Sequence, residues 1–68
     1  MDIKKEVGKR IRELRNKIGV SQEELANMVD LDRTYITSVE CGKRNISIVN
    51  IEKLTIALNV SLSEFFEF

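Results

Sequence analysis

Residues 21–42 decide the fold, and they read SQEELANMVDLDRTYITSVECG. The pattern predicts two short helices joined by a tight turn, called here helix 2 and helix 3. Helix 2 begins at Ser21, because a serine hydroxyl can accept a free backbone N–H and Glu24, three residues on, completes a capping box. It ends near residues 28–29. Helix 3 begins at Asp32, another favourable capping residue, and Gly42 stops it after residue 41.

The segment before this pair predicts one longer helix, helix 1, over roughly residues 2–17. Apolar residues recur there at steps of three or four, which places them in one stripe along a helix. Gly19 follows as a residue able to adopt the left-handed conformation that ends many helices. We expect the stripe to face the core, and it consists of Ile3, Val7, Ile11, Leu14 and Ile18.

The segment after the pair predicts two further helices. Ser47 caps helix 4, which ends near Asn59, and Ser61 with Glu64 forms a second capping box at the start of helix 5. Each helix is too short to be stable alone, so tertiary packing must hold them together. The fold class is therefore all-α, a compact five-helix bundle forming a single domain over residues 1–68. The predicted core side of helix 4 carries Ile48, Ile51, Leu54, Thr55 and Leu58.

Composition favours a soluble globular protein, with 43% hydrophobic and 32% charged residues. No apolar run approaches the roughly 18 residues that a membrane span needs, and the N-terminus lacks a secretory signal, so we expect a cytoplasmic protein. The single cysteine, Cys41, has no base partner, and the chain has no histidine and no phosphate-binding glycine loop. These absences argue against an enzyme, a metal site and a cofactor.

The net charge is zero, but the charges are unevenly distributed. Residues 1–20 hold seven Lys and Arg against three Asp and Glu, a net charge of +4, whereas residues 21–45 and 46–68 each have a net charge of −2. Such a distribution lets one face of the protein approach phosphates and supplies a long-range field. Charge alone fits a solvated amphipathic helix equally well.

Helix 3 has two different sides when it is placed on a wheel at about 100° per residue. Ile36 and Val39 face the core, and the opposite side is polar and lacks acidic side chains. Arg33 in the first turn has a guanidinium fork that matches O6 and N7 of guanine, and short hydroxyl side chains can donate, accept or touch a thymine methyl. This chemistry indicates a reader of the DNA major groove, although such hydroxyls also occur on ordinary exposed helices. The polar side consists of Arg33, Thr34, Thr37, Ser38 and Cys41.

Side chains near helix 3 favour the DNA interpretation. Gln22 lies at the start of helix 2, where free N–H groups and an amide can bind a phosphate. Helix 3 is followed by Lys43, Arg44 and Asn45, which are placed to bind the DNA backbone on the other side of the helix. The predicted partner is double-stranded DNA, and the predicted function is sequence-specific transcriptional regulation.

Four motifs carry a resemblance to a known family. They are Ile11-x-x-Leu14-Arg15, Gly19-x-Ser21-Gln22-Glu23-x-Leu25-Ala26, Ile36-x-x-Val39-Glu40-x-Gly42 and Leu54-x-x-Ala57-Leu58-x-Val60. With them, nearly the whole chain resembles the helix-turn-helix domain of the lambda-repressor/Cro family. The run Asp32-Arg33-Thr34-Tyr35-Ile36, followed by Arg44-Asn45, is similar to the controller proteins of restriction–modification systems.

The resemblance implies roles for particular residues. It implies an ion pair between Arg15 and Glu40 that links helix 1 to the end of helix 3 and serves as scaffold. It also implies that Asp30 forms the turn where many family members have glycine, in a left-handed conformation that costs some energy. The family positions that contact DNA fall on Gln22, Arg33, Thr34, Thr37, Ser38, Lys43, Arg44 and Asn45.

The second half of the chain carries more apolar residues than one small core can absorb. The resemblance implies a two-fold homodimer through this end, which places two copies of helix 3 about one DNA turn apart on a pseudo-palindromic operator. In the alternative, the terminal phenylalanines fold back over the core. The best candidates for an exposed patch, which would mark a partner surface, are Val49, Ile56, Phe66 and Phe68.

The regulatory circuit has alternatives. As a controller protein, the chain would activate its own gene and the neighbouring endonuclease gene when the tighter operator site fills, and repress when the weaker one fills. Glu23 and Glu24 are then the candidate contact for RNA polymerase. An antitoxin that binds a toxin and regulates its own gene would require a toxin partner and a larger apolar surface than a symmetric dimer uses. A repressor from a mobile element would differ in its circuit rather than in its chemistry.

Overall fold

Five α-helices and no strand make up the computed structural model, which describes residues 1–68. The predicted all-α five-helix fold is confirmed, and each helix boundary lies within a few residues of its predicted place. No helix combines the length and the apolarity needed to cross a bilayer. The helices are α1 (Ile3–Ile18), α2 (Gln22–Val29), α3 (Arg33–Glu40), α4 (Ile48–Leu58) and α5 (Leu62–Phe65).

The capping residues fix the helix starts. The Ser21 hydroxyl accepts the Glu24 N–H at 3.0 Å, and the Glu24 carboxylate accepts the Ser21 N–H at 2.9 Å. Ser61 and Glu64 repeat this reciprocal pair at 3.0 and 3.1 Å. Each pair satisfies two backbone donors that the helix itself leaves free. Both predicted capping boxes are therefore present.

The turn between α2 and α3 depends on one strained residue. Asp30 has φ 55° and ψ 44°, which is the left-handed conformation, and its backbone N–H bonds the carbonyl oxygens of Ala26 and Asn27. A non-glycine residue adopts this conformation at a cost of about 1 kcal/mol. The bonds to the last turn of α2 offset that cost, and the chain leaves in the direction that lays α3 across α2.

The core lies where α1, α2, α3 and α4 meet, and α5 closes it with the fully buried Phe65. Ile3, Ile18 and Ile48 were predicted to face this core but are exposed. Each occupies the first or last position of its helix, where packing against the rest of the protein is incomplete. The buried apolar residues are Val7, Ile11, Leu14, Leu25, Ala26, Val29, Ile36, Val39, Ile51, Leu54, Leu58 and Phe65.

Gly8 allows α1 to cross directly over the end of α3. A β-carbon built at this position would meet the carbonyl oxygen of Val39 and would lie 2.7 Å from that of Glu40. Glycine within a helix lowers helix stability, but here only glycine lets the two backbones approach. The crossing brings the inner face of α1 against the C-terminal turn of α3.

Replacing Gly8 with alanine should lower the free energy of unfolding by about 2 kcal/mol, because the added methyl group overpacks a contact between two backbones. Urea unfolding followed by circular dichroism measures the change. The matched control is Lys9→Ala, one position along and exposed, which should change stability by less than about 0.5 kcal/mol. Equal stability of the Gly8→Ala and Lys9→Ala variants would contradict the close crossing.

Candidate nucleic-acid interface

The structure places α3 with one face in the core and the other toward solvent. Ile36 and Val39 are buried, as predicted. Arg33 and Thr34, in the first turn, are exposed, whereas Thr37 and Ser38 are only half-exposed. Thr37 is hydrogen-bonded to Gln22 at the start of α2. The first turn of α3 is thus the most accessible part of its polar face.

A buried carboxylate anchors the end of α3. The Glu40 side chain has no exposed surface, and it accepts a hydrogen bond from Arg15 Nε at 2.8 Å and another from Nη2 at 3.1 Å. Arg15 also donates to the backbone oxygen of Val20 at 2.9 Å. The pair implied by the family resemblance therefore joins α1, the loop before α2 and the last turn of α3. Arg12, more exposed, adds a longer contact of 3.4 Å to Glu40.

Gln22 extends this network to the polar face of α3. Its amide nitrogen donates to Glu40 at 3.0 Å, and its amide oxygen accepts from the Thr37 hydroxyl at 2.9 Å. Gln22 was predicted to bind a phosphate. In the structure it also links Glu40 to Thr37 and so supports α3 from the start of α2. The sequence carries no signal of this, because Gln22 is 18 residues from Glu40 and 15 from Thr37.

The network keeps Glu40 and Arg15 in their charged forms. Burial raises the pKa of Glu40, but the hydrogen bonds from Arg15 and Gln22 and the positive charge of Arg15 outweigh burial, so the pKa lies below its ordinary value. The hydrogen bond to Glu40 in turn raises the pKa of the Arg15 guanidinium. Both groups are therefore charged at neutral pH, and Glu40 acts only as an acceptor.

The loop after α3 is basic and lies against the protein on one side. Lys43, Arg44 and Asn45 are exposed. The Arg44 guanidinium carbon lies 5.0 Å from the ring centre of Tyr35, a cation–π distance. The Tyr35 hydroxyl accepts from the Asn50 amide at 3.1 Å, so α4 holds the ring in place. Tyr35 and Asn50 were not among the predicted site residues, because no sequence spacing reveals contacts between α3 and α4.

The positive charge of α1 is less available than the sequence suggests. Arg10 donates to the backbone oxygens of Phe65 at 3.0 Å and Glu64 at 2.6 Å, which caps the end of α5. Arg12 and Arg15 face Glu40. All three arginines of this helix are bound to acceptors within the protein. The lysines of α1, all of them exposed and none with its side chain bonded to a protein acceptor, are Lys4, Lys5, Lys9 and Lys17.

The predicted dimer patch is exposed but divided between two places. Val49 and Ile56, seven residues apart on the outer side of α4, are 60% and 74% exposed. Phe66 and Phe68 are 40% and 46% exposed, and Phe66 packs edge-on against the buried ring of Phe65 at 5.0 Å. The terminal phenylalanines thus pack partly against the core, and much of their surface is exposed to solvent.

Comparison with known proteins agrees with this geometry. The helix-turn-helix family profile matches residues 11–65. The control protein C.MunI of a Mycoplasma species is 50% identical over 66 residues, which cover 96% of this chain and 89% of that protein. The crystal structure of the restriction–modification controller protein C.AhdI from Aeromonas hydrophila has a TM-score of 0.91 and 47% identity, covering 97% of this chain and all of that one.

A third match is the controller protein C.Esp1396I, solved as a tetramer in complex with its natural 35 base-pair operator. It has a TM-score of 0.86 and 39% identity, and the alignment covers 94% of this chain and 84% of that chain. Fold and motifs together define a helix-turn-helix transcriptional regulator, which is not an enzyme. Within that class, the chain belongs to the family of restriction–modification controller proteins, and the predicted family resemblance is confirmed.

Replacing Glu40 with glutamine should lower the free energy of unfolding by about 3 kcal/mol at pH 7, because the charge of Arg15 loses its buried partner. The loss should shrink toward pH 3. Since the folded pKa of Glu40 is lowered, the wild-type carboxylate stabilises the fold above its unfolded pKa of about 4.3, and this stability disappears as the pH falls through the folded value.

Urea unfolding of both proteins between pH 7 and pH 3 measures this difference. Glu13→Gln serves as the control, because Glu13 forms only an exposed contact of 3.7 Å with Arg10, and such pairs contribute little. Curves for Glu40→Gln and wild type that stay parallel over the whole pH range would show that the buried carboxylate does not stabilise the fold.

Proposed function

We propose that this protein is a dimeric controller protein that binds a pseudo-palindromic operator and regulates its own gene and a neighbouring endonuclease gene. One observation carries the proposal: the first turn of α3 presents Arg33 and Thr34 to solvent, while the buried bond between Arg15 and Glu40 fixes the other end of the helix. A rigid helix with an accessible polar first turn suits the major groove. The similarity to C.Esp1396I, which was solved in complex with its natural operator, supports operator binding.

Contacts to DNA then divide into two kinds. Arg33 is fully available to read a base, since no protein group bonds its guanidinium. Lys43, Arg44 and Asn45, on the exposed loop after α3, are placed to bind phosphates, and Gln22 retains one free amide hydrogen for the same purpose. Phosphate contacts position a protein on the duplex, and base contacts give it specificity.

A two-fold dimer would match the symmetry of a pseudo-palindromic operator. Val49 and Ile56 form the outer surface of α4, and large exposed aliphatic side chains of this kind favour burial against a second copy. Two copies related by a two-fold axis would present two α3 helices to successive major grooves. Residues 48–68 therefore serve as the proposed dimerisation region of a single DNA-binding domain acting in the cytoplasm.

Activation requires a contact with RNA polymerase, for which α2 offers an acidic pair. Glu23 is exposed and makes no side-chain hydrogen bond, whereas the Glu24 carboxylate is held in the capping box by Ser21. The capping bonds also lower the pKa of Glu24. Glu23 is accordingly the freer of the two for a partner, and Glu24 combines this role with starting the helix.

Arg33→Ala should weaken binding to the DNA upstream of the gene by about 1–3 kcal/mol, with a much smaller effect on random duplex, because the guanidinium reads a base. Arg44→Ala is the matched control. It should weaken binding to every duplex and reduce the salt-dependence slope by about one unit. Fluorescence anisotropy across a salt series measures both. Equal losses for Arg33→Ala on the two duplexes would assign it to the DNA backbone and contradict the proposal.

Ile56→Lys should convert the dimer to monomer at micromolar concentration, because burying an unpaired ammonium in an apolar contact is strongly unfavourable. Sedimentation equilibrium measures the association. Ile18→Lys makes the same change at an exposed isoleucine of α1 and should leave the dimer intact. If Ile56→Lys dimerises as well as Ile18→Lys, the outer side of α4 is not the interface.

A further inference from the structure

The hydroxyl hydrogen of Thr34 is directed into the protein. Thr34 Oγ1 lies 2.7 Å from Asp32 Oδ1, and the same oxygen accepts the Thr34 backbone N–H at 2.9 Å. A carboxylate has no hydrogen to give, so the hydroxyl must be the donor. The hydroxyl bond, and then the backbone bond, lower the pKa of Asp32, so it is ionised at neutral pH.

Thr37 is oriented in the same way by a longer chain of contacts. Its hydroxyl lies 2.9 Å from the amide oxygen of Gln22 and 3.0 Å from the backbone oxygen of Arg33, and both are acceptors. The Gln22 amide cannot be reversed, because its nitrogen must face the Glu40 carboxylate. Thr37 is half-buried, however, and Thr34 is the exposed member of the pair.

Ser38 provides a contrast on the same helix. No protein group bonds its hydroxyl, so this side chain can rotate to donate or to accept. The polar face of α3 therefore carries hydroxyls of two kinds. Thr34 offers only its oxygen lone pairs and its methyl group, whereas Ser38 adapts to either partner.

We infer that Thr34 reads its base pair as a hydrogen-bond acceptor, which selects the exocyclic amino group of adenine or cytosine and disfavours O6 and N7 of guanine and O4 of thymine. Those amino groups are the donors of the major groove. Asp32 is then a positioning residue, which sets the polarity of Thr34 without touching DNA. The inference rests on the proposed function, because it requires α3 to lie in the major groove.

The first experiment finds the base pair that Thr34 reads. Preferred duplexes are selected from a randomised pool with the wild-type protein and with Thr34→Val, which keeps the shape and a methyl group but lacks the hydroxyl. The position at which preference weakens in the variant is the Thr34 position. We expect one preferred base pair there, in which the adenine or cytosine supplies the amino group. Unchanged selection by Thr34→Val overturns the inference.

The second experiment removes single atoms from DNA at that position. Purine in place of adenine, or 2-pyrimidinone in place of cytosine, lacks only the amino group. The wild type should lose about five- to tenfold in affinity, the usual range for one hydrogen bond, and Thr34→Val should lose nothing further. A 7-deaza purine at the same base pair removes a groove acceptor and should affect the wild type and Thr34→Val equally. A loss caused by the 7-deaza base in the wild type but not in Thr34→Val would show that Thr34 donates and would overturn the inference.

The third experiment tests Asp32 through its two simplest replacements. Asp32→Asn retains an oxygen that accepts the hydroxyl, so preference at the Thr34 position should persist. Asp32→Gly still tolerates a helix start but frees the hydroxyl to donate as well as to accept, so the preference between base pairs at the Thr34 position should weaken. Ser38→Ala, as the matched hydroxyl deletion, should leave this position unchanged. Circular dichroism verifies that each variant is folded.

The outcomes separate this inference from the proposed function. A wild-type pool without any preferred sequence overturns the proposed function and the inference together. If the wild type selects a preferred sequence but folded Asp32→Gly selects the same base pair at the Thr34 position, the role of Asp32 is overturned. The proposed function then still stands.

Discussion

The buried carboxylate of Glu40 holds the end of α3 against the two helices before it. It lies where α1, α2 and α3 meet, and its partners Arg15 and Gln22 come from two of those helices. A buried ion pair contributes little net stability over an apolar contact, but it tolerates only one geometry. These directional bonds therefore fix the position of α3 relative to α1 and α2, which the proposed reading of bases by α3 requires.

Much of the fold could be predicted because its signals are local. The capping boxes at Ser21 and Ser61, and the glycine after α1, fix helix boundaries through interactions between residues close in sequence. Errors arose at the ends of helices. The periodicity that places Ile48 on the core side of α4 cannot reveal that no other helix covers its first turn.

Less of the site could be predicted, because its side chains are positioned by contacts between distant residues. The polar face of α3 follows from a helical wheel, but the brace from Gln22 to Thr37 and the stacking of Arg44 on Tyr35 require the packing of whole helices. Arg10 shows the same limit, since its partners in α5 lie 54 and 55 residues away. A charge count along the chain treats every cation of α1 as available to DNA, but the three arginines bond acceptors within the protein.

The internal hydrogen bonds of the α1 arginines affect how strongly the protein binds nonspecific DNA. Binding to arbitrary duplex depends on the number of cations free to displace condensed counterions. With those guanidinium groups engaged internally and a net charge of zero, we expect the chain to bind arbitrary DNA weakly. Nonspecific sites in a genome would then compete less for the protein, and fewer copies of it would be needed to occupy one operator.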